Sequence, residues 1–125
     1  MAPTQTFGPY SPIRQAGQLY FVSGQVGVDP TTKTAPKGVP EQTSQALTNL
    51  AAILQTAGLS MQDVVKTTIY ITDMGDFAEI NDVYSGRFAP PRPARATVGV
   101  RELPRVGGKV PILVEIEAIA MKGAS

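Results

Sequence analysis

Apolar residues along this chain recur with two different periods. From Pro40 to Ala57, the positions Leu47, Leu50, Ala51, Leu54 and Ala57 follow the three- and four-residue spacing of a single helix face. Pro40 suits a first helical turn, where an N–H would have no partner, and Gly58 suits the residue just past the end. Elsewhere the apolar runs are short. Leu19-Tyr20-Phe21-Val22, continuing through Ser23-Gly24-Gln25-Val26, predicts a buried strand. A glycine inside such a strand marks a bulge or a place where another group approaches the backbone. Val64 to Thr72 is rich in β-branched residues and predicts another strand. A second helix begins at Asp73 or Gly75, with Phe77, Ile80, Tyr84 and Phe88 on one stripe, and Pro90, Pro91 and Pro93 end it. Ala94 to Val100 and Pro111 to Met121 read as two further strands, with Met74 and Met121 as core filler.

Turn chemistry fills the gaps. Met1 to Pro12 reads as extended or turning chain, Asp29-Pro30-Thr31-Thr32 as a turn, and Ser60-Met61-Gln62-Asp63 as a short capped turn. The order is strand, strand, helix, strand, helix, strand, strand. No linker or repeat interrupts residues 1–125, so one α+β domain is expected, a mixed β-sheet with both helices packed on one face. The other face must then meet water, ligand or partner subunits.

The last two strands carry the informative pattern. Alternation puts Ala94, Ala96, Val98 and Val100 on one face and Arg95, Thr97 and Gly99 on the other. Ile112, Val114, Ile116, Ala118 and Ala120 share one face; Leu113, Glu115, Glu117, Ile119 and Met121 share the other. If these strands form an antiparallel hairpin centred near Arg105, Arg95 sits opposite Glu115 on a common face. Arg95 then has two readings. Its planar, permanently charged fork suits a ligand carboxylate, and it equally suits a cross-strand ion pair with Glu115 or Glu117 that serves only the sheet.

Composition narrows the chemistry. The chain has no cysteine and no histidine, which removes disulfides, thiol nucleophiles, an imidazole base and nearly every zinc or non-haem iron site. An enzyme built from this sequence works with arginine, carboxylates, tyrosine, serine and threonine hydroxyls, lysine, backbone groups and water. Net charge is +1 over 125 residues, so nothing in the whole chain favours nucleic acid or an anionic membrane. Charge is nevertheless uneven: Arg87, Arg92, Arg95, Arg101, Arg105 and Lys109 stand against Glu102 alone in segment 87–109. Solvated loop arginines or an anion-binding region both fit that run. With no apolar run long enough to span a bilayer and no export-type start, a cytoplasmic protein is expected.

Gly8-Pro9-Tyr10-Ser11-Pro12, Ser23-Gly24-Gln25, Val65-Lys66-Thr67-Thr68, Pro93-Ala94-Arg95 and Val114-Glu115-Ile116-Glu117-Ala118, in that order, resemble the RidA (YjgF) family. Its members are also called L-PSP endoribonucleases or 2-iminobutanoate/2-iminopropanoate deaminases. The resemblance implies a chorismate-mutase-like subunit and a homotrimer closed around a central barrel, with sites in the clefts between subunits. It also implies hydrolysis of reactive 2-imino or enamine acids to 2-keto acids and ammonia, with no metal or organic cofactor needed. On that basis Arg95 binds the substrate carboxylate, Glu115 positions water, and Tyr10, Ser23, Gly24 and Thr97 line the substrate site. Thr97 stands where many members carry cysteine. The Tyr84 to Pro93 connection is short and the Arg101 to Lys109 loop long against the familiar pattern. An RNA-cleaving or translation-inhibiting protein, and a non-catalytic ligand-binding or chaperone trimer, are the alternatives.

Overall fold

The computed structural model describes residues 6–124. Strands β1 (Ile13–Ala16) and β2 (Leu19–Val26) form a hairpin. Its two-residue loop holds Gly17 at φ +61°, a conformation without steric penalty only for glycine. The chain turns at Asp29, whose carboxylate accepts from the Thr31 N–H at 2.8 Å, and enters α1 (Val39–Thr56). A 3-10 turn (Met61–Asp63), closed by reciprocal capping between Ser60 and Asp63, leads into β3 (Val64–Ile71). A second 3-10 turn (Met74–Asp76) leads into α2 (Phe77–Ser85), followed by β4 (Ala94–Gly99) and β5 (Val114–Met121). Of the opening segment, residues 1–5 lie outside the described residues.

The order of elements is the one expected, although the first strand, Ile13–Ala16, lies where the apolar pattern assigned none, and the sheet is mixed: β1-β2-β5-β3-β4, with β3 and β4 parallel and the other pairs antiparallel. Helix α1 packs on β2, β5 and α2. Its buried stripe includes Ala46, Leu47, Leu50, Ile53 and Leu54, and the opposing surface includes Ile69, Ile71, Val114, Ile116 and Ala120. Ala51 and Ala57 lie at the margins of that stripe, half-buried. Helix α2 joins the same face, where the Tyr84 hydroxyl shares a 2.7 Å hydrogen bond with that of buried Thr67.

Polar side chains lock α1 to the chain around it. Gln42, fully buried, donates to the carbonyls of Pro36 and Pro111, both at 2.9 Å, and accepts from the Leu113 N–H at 2.8 Å. Asn49 donates to the carbonyls of Val26 and Val28 where β2 leaves the sheet. These bonds give partners to backbone groups at the ends of the elements and in the connecting chain, which burial would otherwise penalise. Gly27 lets the strand end pass directly under α1, since a Cβ there would lie 2.7 Å from Gln42 Cα.

Three expectations need correction. The last two strands do not form a hairpin: β4 pairs only with β3, at the sheet edge, and β3 separates it from β5. Arg95 aligns with Thr67, which aligns with Ala118, so Arg95 is on the helix-covered face. Glu115 aligns with Tyr70, and Glu117 with Thr68, on the opposite face. The apolar side of β4 (Ala94, Ala96, Val98) therefore faces outward, a reversal that alternation alone does not reveal. Second, α2 stops at Ser85, ahead of the three prolines, because the chain must travel back along the sheet to begin β4 parallel to β3. Third, neither methionine is core filler: Met74 is 49% exposed beside Gly99 at the sheet edge, and Met121 is half-buried on the sheet face that carries no helix.

On the face without helices, Leu19, Phe21 and Val98 are exposed. Ile119, Met121, Glu115 and Glu117 of β5 share that face.

Candidate functional site

The sequence-predicted site residues fall into two groups, one on each face of the sheet. The larger group surrounds a bulge in β2. Val22 aligns with Ala118 and Gln25 with Ile116, so three steps along β2 match two along β5. The extra residue lies in Ser23-Gly24, where a bulge bends the strand and re-aims its neighbours. Ser23 uses both polar groups to hold the incoming chain: its hydroxyl donates to Ser11 O at 2.6 Å and its N–H to Pro12 O at 3.0 Å. That clamp fixes Tyr10, whose own hydroxyl accepts from the Phe7 N–H at 3.2 Å. Opposite, the Glu115 carboxylate fills the space that a side chain on Gly24 would occupy. Tyr10, Ser23, Gly24 and Glu115 thus line one cleft of about 450 Å3, together with Phe7, Val26, Pro104, Val106 and Glu117.

Burial raises the Glu115 carboxyl above its ordinary value, and the like charge of Glu117 two residues along adds to the rise. Tyr70, facing both acids from β3, is raised by burial and then by Glu117 and Glu115. A carboxyl that holds its proton more readily than usual, at the wall of an open cleft, is equipped to accept a proton and return it.

The second group is at the β4 edge. The Arg95 guanidinium carbon stands 4.9 Å from the Tyr84 ring centre and 5.4 Å from that of Phe77. Such stacking is worth ~0.5–2 kcal/mol and fixes the guanidinium while its in-plane N–H groups remain able to bind a carboxylate. Burial pushes the Tyr84 phenol up, opposed by the Thr67 hydrogen bond and the Arg95 and Arg92 charges. Arg95 borders a hollow of about 290 Å3 with Asn81, Tyr84, Ser85, Arg92 and Pro93. Thr97, two residues along, shares its face. The proposed Arg95–Glu115 or Arg95–Glu117 ion pair is therefore excluded within one chain, because the sheet lies between them.

The basic run of segment 87–109 is partly structural. Arg87 donates to Ser44 O at 3.1 Å and Thr48 Oγ1 at 3.2 Å on α1, and Arg92 donates to Ser85 O at 3.3 Å. Phe7, Pro104 and Val106 were not anticipated as cleft residues, and no periodic signal marks them, since they come from irregular loops. The Tyr84 and Phe77 support for Arg95 was visible only as a helix stripe. Among the described residues no group of three or more acidic side chains gathers to hold a metal, and no helix is long and apolar enough to cross a membrane.

The family model described as Endoribonuclease L-PSP matches residues 2–122. The chain belongs to this L-PSP family, the RidA/YjgF group. Among its members, the mouse 2-iminobutanoate/2-iminopropanoate deaminase is 46% identical over 117 residues, covering 93% of this chain and 83% of that protein. RidA from an Antarctic Psychrobacter superposes with a TM-score of 0.87 at 38% identity, over 94% of this chain and 91% of that one. E. coli TdcF, solved with bound serine, gives 0.84 at 38% identity, again over 94% and 91%. The chorismate-mutase-like arrangement of one sheet and two helices is common to the L-PSP family, and within it the assigned activities differ, deaminase for the mouse protein and endoribonuclease in the family's own description.

Proposed function

We propose that this protein is a deaminase that hydrolyses small 2-imino acids, or their enamine tautomers, to 2-keto acids and ammonia, without metal or organic cofactor. The observation that carries the reading is the division of the polar groups: a carboxylate over Gly24 in one cleft, and a ring-supported guanidinium at a distant edge. Neither half binds and hydrolyses an imino acid alone. A second copy of the chain, covering the exposed Leu19, Phe21 and Val98 face, would bring Arg95 and Thr97 of one subunit to Tyr10, Ser23, Gly24 and Glu115 of the next. A closed homotrimer around a central barrel satisfies every subunit equally.

In this reading Arg95 grips the substrate carboxylate by two parallel hydrogen bonds and so orients the C=N carbon. Glu115, ionised, takes a proton from water as the water oxygen bonds to that carbon, converting C=N to C–N. The protonated Glu115, favoured by its burial and by Glu117, then returns the proton to nitrogen. That gives a neutral carbinolamine; Glu115 then takes the proton of its hydroxyl and passes it to nitrogen as C=O forms and the C–N bond breaks, leaving ammonia and the 2-keto acid. Tyr10 closes the cleft. The name of the mouse relative and the serine bound to E. coli TdcF, a small amino acid, support this substrate class. The RNA-cleaving alternative is weaker, because Arg87 and Arg92 are tied to protein carbonyls and the sequence has no histidine to act as base.

The test couples the purified protein to a serine/threonine dehydratase and follows release of pyruvate or 2-ketobutyrate. Acceleration by the wild type that is lost in both Arg95→Ala and Glu115→Ala supports the reading; equal acceleration by all three ends it. Sedimentation should give a mass near three times 13.2 kDa.

A further inference from the structure

Residues 101–113 form an irregular loop, yet the packing beneath it is that of a small core. Val26, Val28, Ala35 and Ile112 are buried together, and Leu103, Val106 and Val110 of the loop pack against them. The Ala35 N–H donates to Gly107 O at 3.1 Å. Gly107 approaches so closely that a Cβ there would lie 2.8 Å from Ala35 Cβ and 2.9 Å from Ile112 Cδ1. The Val106 N–H also donates back to Pro104 O at 3.0 Å, tightening the turn at the cleft rim. A loop anchored at this many points presents its side chains as a fixed surface.

That surface forms one side of the cleft already described. Pro104 and Val106, with Phe7 and Val26, line the cavity with hydrocarbon opposite Ser23, Glu115 and Glu117. The cleft measures about 450 Å3 in the single chain; in the proposed assembly the second copy closes its open side, and the Pro104–Val106 wall is the apolar boundary this chain offers to a substrate side chain. No charged side chain joins this apolar wall to receive a polar substituent.

We infer that the Pro104–Val106 wall makes this protein selective for 2-imino acids with branched or extended apolar side chains over those with a methyl or an acidic side chain. This rests on the deaminase reading for the identity of the reacting group. Each further methylene placed against such a wall is worth ~10-fold or more in discrimination, so a leucine-derived imine should exceed an alanine-derived one in kcat/KM by at least about tenfold.

The experiment generates imines in place from alanine, leucine and glutamate with a flavin amino-acid oxidase, and measures their hydrolysis against trapping by semicarbazide. In parallel, calorimetry compares binding of 4-methyl-2-oxopentanoate, pyruvate and 2-oxoglutarate. The wild type should prefer the leucine-derived imine and its keto acid. Val106→Phe, which narrows the cavity, should reduce the leucine-to-alanine ratio about tenfold in both assays. Val106→Thr, of nearly the same shape and checked for folding by its thermal melt, should reduce it in the same direction by setting a hydroxyl against the apolar chain. A wild-type ratio near one, or a ratio that neither variant moves, overturns the inference. If no imine is hydrolysed, the deaminase reading fails, and the binding ratios still decide for or against the wall.

Discussion

Gly24 lies directly under the Glu115 carboxylate: a Cβ on Gly24 would stand 2.7 Å from Glu115 Cδ and 3.0 Å from Cγ. Glycine's role here is close approach, since Gly24 is not among the residues held at positive φ. Alanine can adopt the backbone but cannot coexist with the carboxylate in its place. Gly24→Ala should therefore leave circular dichroism and assembly unchanged while lowering kcat by ~100-fold or more, the scale of a lost acid–base group. Because both changes act on one carboxylate, combining Gly24→Ala with Glu115→Ala should add little to either alone. Steady-state kinetics of the four proteins test this, and full activity in Gly24→Ala would remove Glu115 from the mechanism.

The raised Glu115 carboxyl predicts two pH dependences of fixed sign. Where the ionised form is needed, kcat/KM should fall on the acid side with a midpoint above the ordinary glutamate value of 4.5. Glu117→Gln removes the like charge and should move that midpoint to lower pH. Stability follows the opposite arm of the same linkage. A carboxyl that binds its proton more tightly folded than unfolded makes the folded state lose stability as pH rises from the unfolded value through the folded one. Glu115→Gln should thus raise Tm at pH 7, with the gain disappearing below about pH 4, where both states are protonated. Thermal melts at pH 4 and pH 7 check the sign; a larger gain at the acidic end would contradict it.

How much of this was legible in the sequence follows from what alternation can and cannot encode. The β-branched run of β3 and the 3.6-residue stripe of α1 identify their elements directly, and the glycine inside β2 correctly marked both a bulge and a close approach. The family motifs identified the fold. Alternation along β4 separates Arg95 and Thr97 from Ala94, Ala96 and Val98, but it does not say which set meets the helices. The rule that the apolar side goes inward fails there, because the apolar side of an edge strand faces outward in a single chain. The loop residues Phe7, Pro104 and Val106 were illegible for a different reason: their positions come from packing between distant segments, which leaves no local period.

Tyr84 joins the core to the Arg95 edge, and its two contacts can be separated. Tyr84→Phe keeps the ring under the guanidinium but leaves the buried Thr67 hydroxyl without its 2.7 Å partner, which should cost ~1–3 kcal/mol in stability with little change in kinetics. Tyr84→Leu also removes the π face, freeing the guanidinium to sample other orientations. KM should then rise more than kcat falls, because a poorly oriented fork weakens binding of the carboxylate before it alters the chemistry. Denaturant unfolding and steady-state kinetics of the two variants distinguish these effects, and an unchanged KM in Tyr84→Leu would show that the ring does not hold Arg95.

Gln42 ties the core to the chain that leads into β5. Its amide is the partner of three backbone groups, Pro36 O, Pro111 O and Leu113 N, and the last two belong to the segment between the Pro104–Val106 loop and β5. Gln42→Leu fills the space but strands all three in a buried setting, and at ~1–3 kcal/mol for each unsatisfied group the loss should reach about 3 kcal/mol or more. Gln42→Glu retains an acceptor for Leu113 N and directs a buried carboxylate at two carbonyls. Protonation supplies one donor, so this variant should be less unstable at pH 5 than at pH 8, the reverse of an ordinary acid-labile protein. Since the Pro111 and Leu113 anchors also fix where β5 begins, both variants should reduce the register fidelity of Glu115. Activity should then fall along with stability as denaturant is added, and a Gln42→Leu protein of wild-type stability would show that these three bonds are dispensable.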